Sequence, residues 1–273
     1  MFLSKKWMAM LMVITTILFL VACGDKKESE QTDDESIYDN PRNHTAEDFI
    51  SLSEGLEKHP VWFKTDVFPT RKSTVNHLYV FDKETVTHYW NFSGLQMEKI
   101  NDLTDDELIK YVKENSRSKT AGKYTLDITL DELGQSTKEI RVILGNGTSV
   151  WTTDLKAIAE ENYYSNDYSE LKKRYPDVES YQSALKTGEE VLSTERKVEI
   201  EGEEIIFTDI IEDGESLVTF IPGSVNQKIF DTIYSGLGYD EYYSLFTRVD
   251  DSFVGFKLDE PNTKKKNVTI EGE

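Results

Sequence analysis

An α+β fold, mainly antiparallel sheet with hairpins and a few inserted helices, is what this sequence predicts, and three observations predict it. Short runs in which apolar and polar residues alternate recur through residues 46–261, bounded by turn residues such as Asp82-Lys83-Glu84. That alternation is the mark of half-buried strands. Neighbouring runs lie close enough to pair directly, without a helix between each strand and the next. Between groups of strands stand segments with apolar residues three and four apart and capping residues at their ends, which places helices there.

Taken in order, Val61-Trp62-Phe63 is a short apolar strand, and residues 76–81 and 85–91 form a hairpin. A helix follows whose start is chemically marked. Thr104 and Glu107 form a capping box, Asp105 and Asp106 favour the positive helix end, and Leu108, Ile109 and Val112 make one apolar stripe. Residues 124–130 and 139–144 are further strands, and Asn146-Gly147 before a strand at 149–152 reads as a tight turn. Residues 154–192 are helical and rich in tyrosine. There Pro176 and Asp177 open a helix, Val178, Tyr181 and Leu185 share its buried side, and Gly188 closes it. Strands return at 198–200, 204–211 and 217–221, the last two joined by a hairpin turn at Asp213-Gly214. A short helix is expected over 226–234, ended by Gly236, and a final hairpin joins 242–249 to 253–258 around Asp250-Asp251.

The N-terminus is of another kind. Lys5 and Lys6 precede an apolar run from Trp7 to Leu20, broken only by Thr15 and Thr16, which gives way to Leu20-Val21-Ala22-Cys23-Gly24. A basic head, an apolar middle and a small-residue exit make an export signal, and the run falls short of the ~20 residues that span a bilayer. Leu20 to Cys23 resemble the lipobox of bacterial lipoprotein precursors. The resemblance implies cleavage before Cys23 and a thioether-linked diacylglycerol on it. The expected organisation is therefore a signal peptide at 1–22, a lipidated acidic spacer at 23–45, a strand-rich half at 46–152, a second α+β half at 153–261 that can join the first as one domain, and a tail or edge strand at 262–273.

Charge bounds the partners. Lys5 and Lys6 belong to the signal, so 29 of the 31 basic residues remain against 51 acidic ones, a formal net charge of −22. Such a body is repelled by nucleic acid and anionic lipid. Membrane attachment must then come from acyl chains, each buried methylene contributing ~0.8 kcal/mol. Cys23 is the sole cysteine, so the acylated body has no thiol for a disulfide or a metal. An exported chain without thiols fits a Gram-positive surface better than an oxidising periplasm.

Candidate chemistry is sparse. Of the four histidines, His77 and His88 sit on the two arms of the hairpin, and the loop length decides their relation. A two-residue turn on Asp82-Lys83 sets them opposite each other; a three-residue loop sets His88 against Leu78; a four-residue loop sets His88 against Tyr79 and His77 against Trp90. On that reckoning one register alone brings the imidazoles together, and a metal would still want a third ligand, so no metal is expected. Asp102, Asp105 and Asp106 are explained by a helix start and Glu201, Glu203 and Glu204 by a turn and a solvent face, leaving no distinct acid–base pair. Neither a G-x-S-x-G nucleophile elbow nor an EF-hand loop occurs, and Gly145-Asn146-Gly147 lacks the Gly-Lys-Ser/Thr of a phosphate loop. No catalytic residue and no cofactor is expected. Tyrosine suits contact surfaces, and Tyr163, Tyr164, Tyr242 and Tyr243 are the candidate exposed patch. The expected function is that of a non-enzymatic lipoprotein on the outer face of the cell membrane, binding a protein or cell-wall ligand. The alternatives are a carboxylate-dependent hydrolase of wall material and a solute-binding lipoprotein of an importer, which would show two lobes of parallel sheet.

Overall fold

The computed structural model describes residues 45, 47–65, 68–134, 137–165, 170–212, 214–220, 224–239, 243–259 and 265–272. Cys23, the signal and the spacer up to residue 44 lie outside the described residues.

β1 (Ile50–Ser51) runs into α1 (Leu52–Lys58), followed by β2 (Val61–Thr65) and β3 (Thr74–Val75). The hairpin of β4 (His77–Asp82) and β5 (Thr85–Trp90) precedes β6 (Leu95–Gln96), α2 (Met97–Asn101) and α3 (Asp105–Asn115). A long hairpin, β7 (Ser118–Leu130) and β8 (Thr137–Asp154), leads into α4 (Leu155–Tyr164), α5 (Leu171–Arg174) and α6 (Val178–Thr187). The chain returns to strand in β9 (Lys197–Glu201), β10 (Glu204–Ile211), β11 (Glu215–Phe220), β12 (Ser224–Ile229), β13 (Thr232–Tyr239), β14 (Tyr243–Val249), β15 (Phe256–Lys257) and β16 (Val268–Gly272).

Twelve of these strands form one sheet, in the order β12, β13, β14, β2, β4, β5, β7, β8, β10, β9, with β11 beside β8 and β16 beside β7. Among the described residues only β16 joins it in parallel. The class is α+β, dominated by antiparallel sheet. β8 crosses the expected boundary at residue 152, and β10 pairs with it there, Glu204 opposite Asp154. Both halves therefore share one sheet, and part of the expected tail is the edge strand β16.

Local chemistry sets the helix ends. Thr104 Oγ1 accepts from the Glu107 N–H at 3.3 Å while Glu107 accepts from the Thr104 N–H at 2.8 Å, completing the capping box. At α6, Asp177 accepts from the Ser180 N–H at 2.8 Å, and Gly188 closes the helix at φ 75°. Arg248 on β14 holds the α2–α3 junction, donating to the Leu103 carbonyl at 2.6 Å and the Ile100 carbonyl at 3.3 Å and pairing with Asp105.

Four expectations fail, each for a physical reason. Asn146-Gly147 is no hairpin turn but a bulge inside β8. Ala121 pairs with Thr148 and Lys123 with Gly145, so Gly122 faces one residue too many. Asn146 takes φ 47°, and a Cβ on Gly147 would fall 2.6 Å from the Ala121 carbonyl oxygen. Bulges and tight turns demand the same left-handed residue, so the dipeptide fits both. β10 and β11 do not form the expected hairpin either, and Asp213 of its expected turn lies outside the described residues. β10 and β11 lie end to end along β8, Ile211 opposite Gly147 and Glu215 opposite Leu144, as one strand interrupted across from the bulge.

The helix expected over 226–234 is the hairpin β12–β13, with Ile229 opposite Thr232 and Phe230 at φ 54° in the turn. β13 is paired on both edges and buried from Ile233 to Gly238. A strand buried on both faces loses its alternation and resembles a helix by periodicity. Finally, residues 253–258 do not return along β14, whose edges are taken by β13 and β2; β15 instead pairs in parallel with β1, Phe256 beside Ile50.

The sheet buries both faces. On one, Trp62, Tyr79, Phe81, Leu126, Val142 and Leu144 pack with Leu52 and Leu56 of α1 and with Phe256. On the other, Phe63, Leu78, Tyr234 and Phe246 pack with Met97, Ile100, Leu108 and Val112 of α2 and α3. A third cluster joins α4, α5 and α6 to Ile205 and Phe207 of β10. Cross-strand pairing puts Phe207 on the same face as Tyr79, so α1 and the α4–α6 group cover two ends of one face.

Candidate functional site

Between those two covered ends lies a seam of aromatic, histidine and hydroxyl side chains. The registers write it out as two rows. One runs Tyr79, His88, Thr120, Ser149, Asp209; the next runs Trp90, Ser118, Trp151, Phe207, Val198. Cross-strand partners share a face, so large rings on β5 and β8 flank the small residues Ser118 and Thr120 of β7. The result is a trough along β7. Its floor is buried, whereas Trp90, His77, Ser149 and Trp151 remain half-buried.

Ring geometry orders the trough. His88 stacks on Tyr79 with centroids 4.3 Å apart and an interplanar angle of 3°, and on Trp90 at 4.9 Å and 26°. Trp151 stacks on Phe207 at 5.2 Å and 17°, with the Arg196 guanidinium 5.0 Å from the Trp151 ring. Arg196 also reaches Asp209 at 3.5 Å. On the floor the Thr120 and Ser149 hydroxyls meet at 3.1 Å, and Asn91 donates to Ser118 Oγ at 3.4 Å.

His77 Nδ1 and His88 Nε2 stand 2.9 Å apart in a hydrogen bond. The hairpin adopts the register that sets Tyr79 against His88, closing with Asp82 paired to Thr85 and Lys83 at φ 54° in the turn. The imidazoles meet all the same, contrary to the expectation that only direct opposition would join them. Diagonal neighbours on one face of an antiparallel pair lie within reach of ring side chains. Burial, then His77, then Lys64 lower the His88 pKa to about 3. His88 is thus neutral near pH 7 and too weak a base there for general base catalysis. Two imidazoles would suit a soft or borderline metal, but among the described residues no group of three or more His, Cys, Asp or Glu converges to hold one.

Of the four tyrosines of the expected patch, Tyr163 is not exposed. Tyr163 is 8% exposed, packs with Tyr181 and Leu185, and donates to the Tyr175 carbonyl at 3.1 Å, so it belongs to the core and not to a contact surface. Tyr164 next to it is 66% exposed, with the Lys172 ammonium 5.7 Å from its ring. Tyr243 opens β14, separated in the sheet from the α4 region by β2, β4, β5, β7 and β8, and Tyr242 lies outside the described residues. Of the acidic residues weighed above, Asp102 caps α2, Asp105 pairs with Arg248, and Glu203 takes Lys186 and Gln182. Each has a structural partner or a cap to explain it.

Trp90, Trp151, Phe207 and the Ser118–Thr120 floor were not marked by the sequence. Their common face depends on pairings between strands far apart in the chain. Among the described residues no helix is long and apolar enough to cross a membrane. No protein-family model matches the chain, and no solved structure matches it.

Proposed function

We propose that the chain is the precursor of an extracytoplasmic lipoprotein, held on the outer face of the cell membrane by diacylglycerol on Cys23, and that its α+β body is a non-enzymatic binding module. The observation that carries this reading is Leu20-Val21-Ala22-Cys23 at the end of a basic-headed apolar run, followed by Asp25, Glu28, Glu30, Asp33, Asp34 and Glu35. An acidic, self-repelling spacer of that kind extends the body away from the bilayer. The part-open aromatic trough, whose buried histidine stays neutral, supports binding over acid–base chemistry.

Cells grown with labelled palmitate will label the wild-type protein and leave Cys23→Ala unlabelled, and protease added to intact cells will remove the body. A wild-type protein without label, equal label in the variant, or a body protected until lysis overturns the proposal.

A further inference from the structure

We infer that two copies of this chain pack face to face through the uncovered side of β8 and β10, as a two-fold symmetric dimer. This is a property of the body separate from what it binds. The surface lies on the side of the sheet away from α4–α6, which α2 and α3 cover as far as Tyr89 of β5. Cross-strand registers write its rows. One runs Lys119, Val150, Thr208, Lys197 across β7, β8, β10 and β9. The next runs Arg117, Thr152, Ile206, Glu199, with Arg117 placed just ahead of β7 by its carbonyl, which accepts from the Thr152 N–H at 2.7 Å. A third joins Thr148 to Ile210, past the end of β9. Every side chain that β8 and β10 present in these rows is β-branched, which makes a flat, stiff surface suited to stacking on another sheet. Ile210 is 83% exposed, and Val150 and Ile206 on the same face are half-buried and belong to no core cluster.

Charge selects the partner. Arg117 and Lys119 stand exposed at one margin, and neither has an ion-pair partner among the described residues. Glu199 and Glu201 stand exposed at the other, on β9, three strand steps or about 14 Å away. A polyanion or a polycation would be repelled by one margin or the other. A second copy is not. Two sheets stacked about 10 Å apart and related by a two-fold axis along the strands set β7 of one copy over β9 of the other. Each Arg117 then meets Glu199 of the second copy, which stands on the same row, and the apolar strips close on each other. The net charge of −22 on each body opposes association, but charges farther apart than ~8 Å are largely screened at physiological salt, so the contacts at the margins decide.

Sedimentation equilibrium of the mature full-length protein in density-matched detergent at physiological salt, over a range of protein concentrations, tests this. The wild type will give the mass of two chains and dissociate on dilution. Ile210→Asp will weaken self-association at least about tenfold, because it buries a carboxylate in the centre of the contact. Arg117→Glu will weaken it about tenfold by setting like charges against each other at the margin, and Arg117→Glu combined with Glu199→Arg will restore most of that loss. Near-ultraviolet circular dichroism checks that the variants fold, as the exposure of all three positions predicts. A wild type that stays monomeric at every concentration overturns the inference. So does a dimer that neither Ile210→Asp nor Arg117→Glu weakens, which is the result expected if copies share a micelle through their anchors or pair edge to edge through β9. A double variant as weak as Arg117→Glu alone overturns the two-fold arrangement.

Discussion

Lowering the pH from 6.5 to 4.5 will destabilise the body by roughly 2–3 kcal/mol, and replacing His88 with phenylalanine will remove most of that loss. The cause is a histidine kept neutral in the fold. His88 falls from an ordinary 6.5 to about 3, first through burial and then through His77 and Lys64. Below pH 6.5 the unfolded chain takes up a proton that the native state refuses. Stability is therefore full above 6.5 and is lost at about 1.4 kcal/mol per pH unit until the native imidazole itself protonates near 3. His59 shifts in the same direction, chiefly by burial, and adds to the slope. The lowered carboxyls of Glu107 and Asp177 enter only as the pH drops through the ordinary values of 4.5 and 3.8, below most of this window. Urea unfolding at pH 7.5, 6.5, 5.5 and 4.5 measures the slope. His88→Phe keeps a ring between Tyr79 and Trp90 but cannot titrate; a variant as pH-sensitive as the wild type would show that the loss arises elsewhere.

Gly236→Ala will cost about 3 kcal/mol or more and will fail to give soluble protein if the body has little stability to spare. Gly236 faces Phe246 in the β13–β14 pairing, and a Cβ there would overlap the Leu245 carbonyl and lie 2.5 Å from Phe246 Cα. The obstacle is backbone, not a side chain that can swing away. β12 and β14 hold β13 on both edges, so neither strand can retreat without breaking a ladder. Gly202→Ala is the comparison: φ is +63° in open space, so only the left-handed penalty of about 1–2 kcal/mol applies. A smaller loss at 236 than at 202 would mean that the close approach of β13 and β14 is not enforced.

Much of the fold was legible where the signal is local. The hairpin at 77–90, the Thr104 capping box and the Asp177-to-Gly188 helix all depend on residues within a few positions of one another. Errors came where one dipeptide serves two geometries, as at Asn146-Gly147, or where burial on both edges erased the alternation, as in β13. The trough was legible only in part. His77 and His88 stood out by residue type, but their contact is diagonal, and nothing nearby in the chain ties Trp90 to Trp151. Those two residues meet Ser118 only because β7 pairs with both β5 and β8, which is a property of the sheet and not of any segment.

The proposed lipid anchor at Cys23 can be tested most directly by the mass of the mature N-terminal peptide, taken from protein extracted from membranes with detergent. The predicted result is a chain that starts at Cys23 and carries a thioether-linked diacylglycerol on its sulfur. A chain that still starts at Met1, or one that starts elsewhere with an unmodified cysteine, would contradict it.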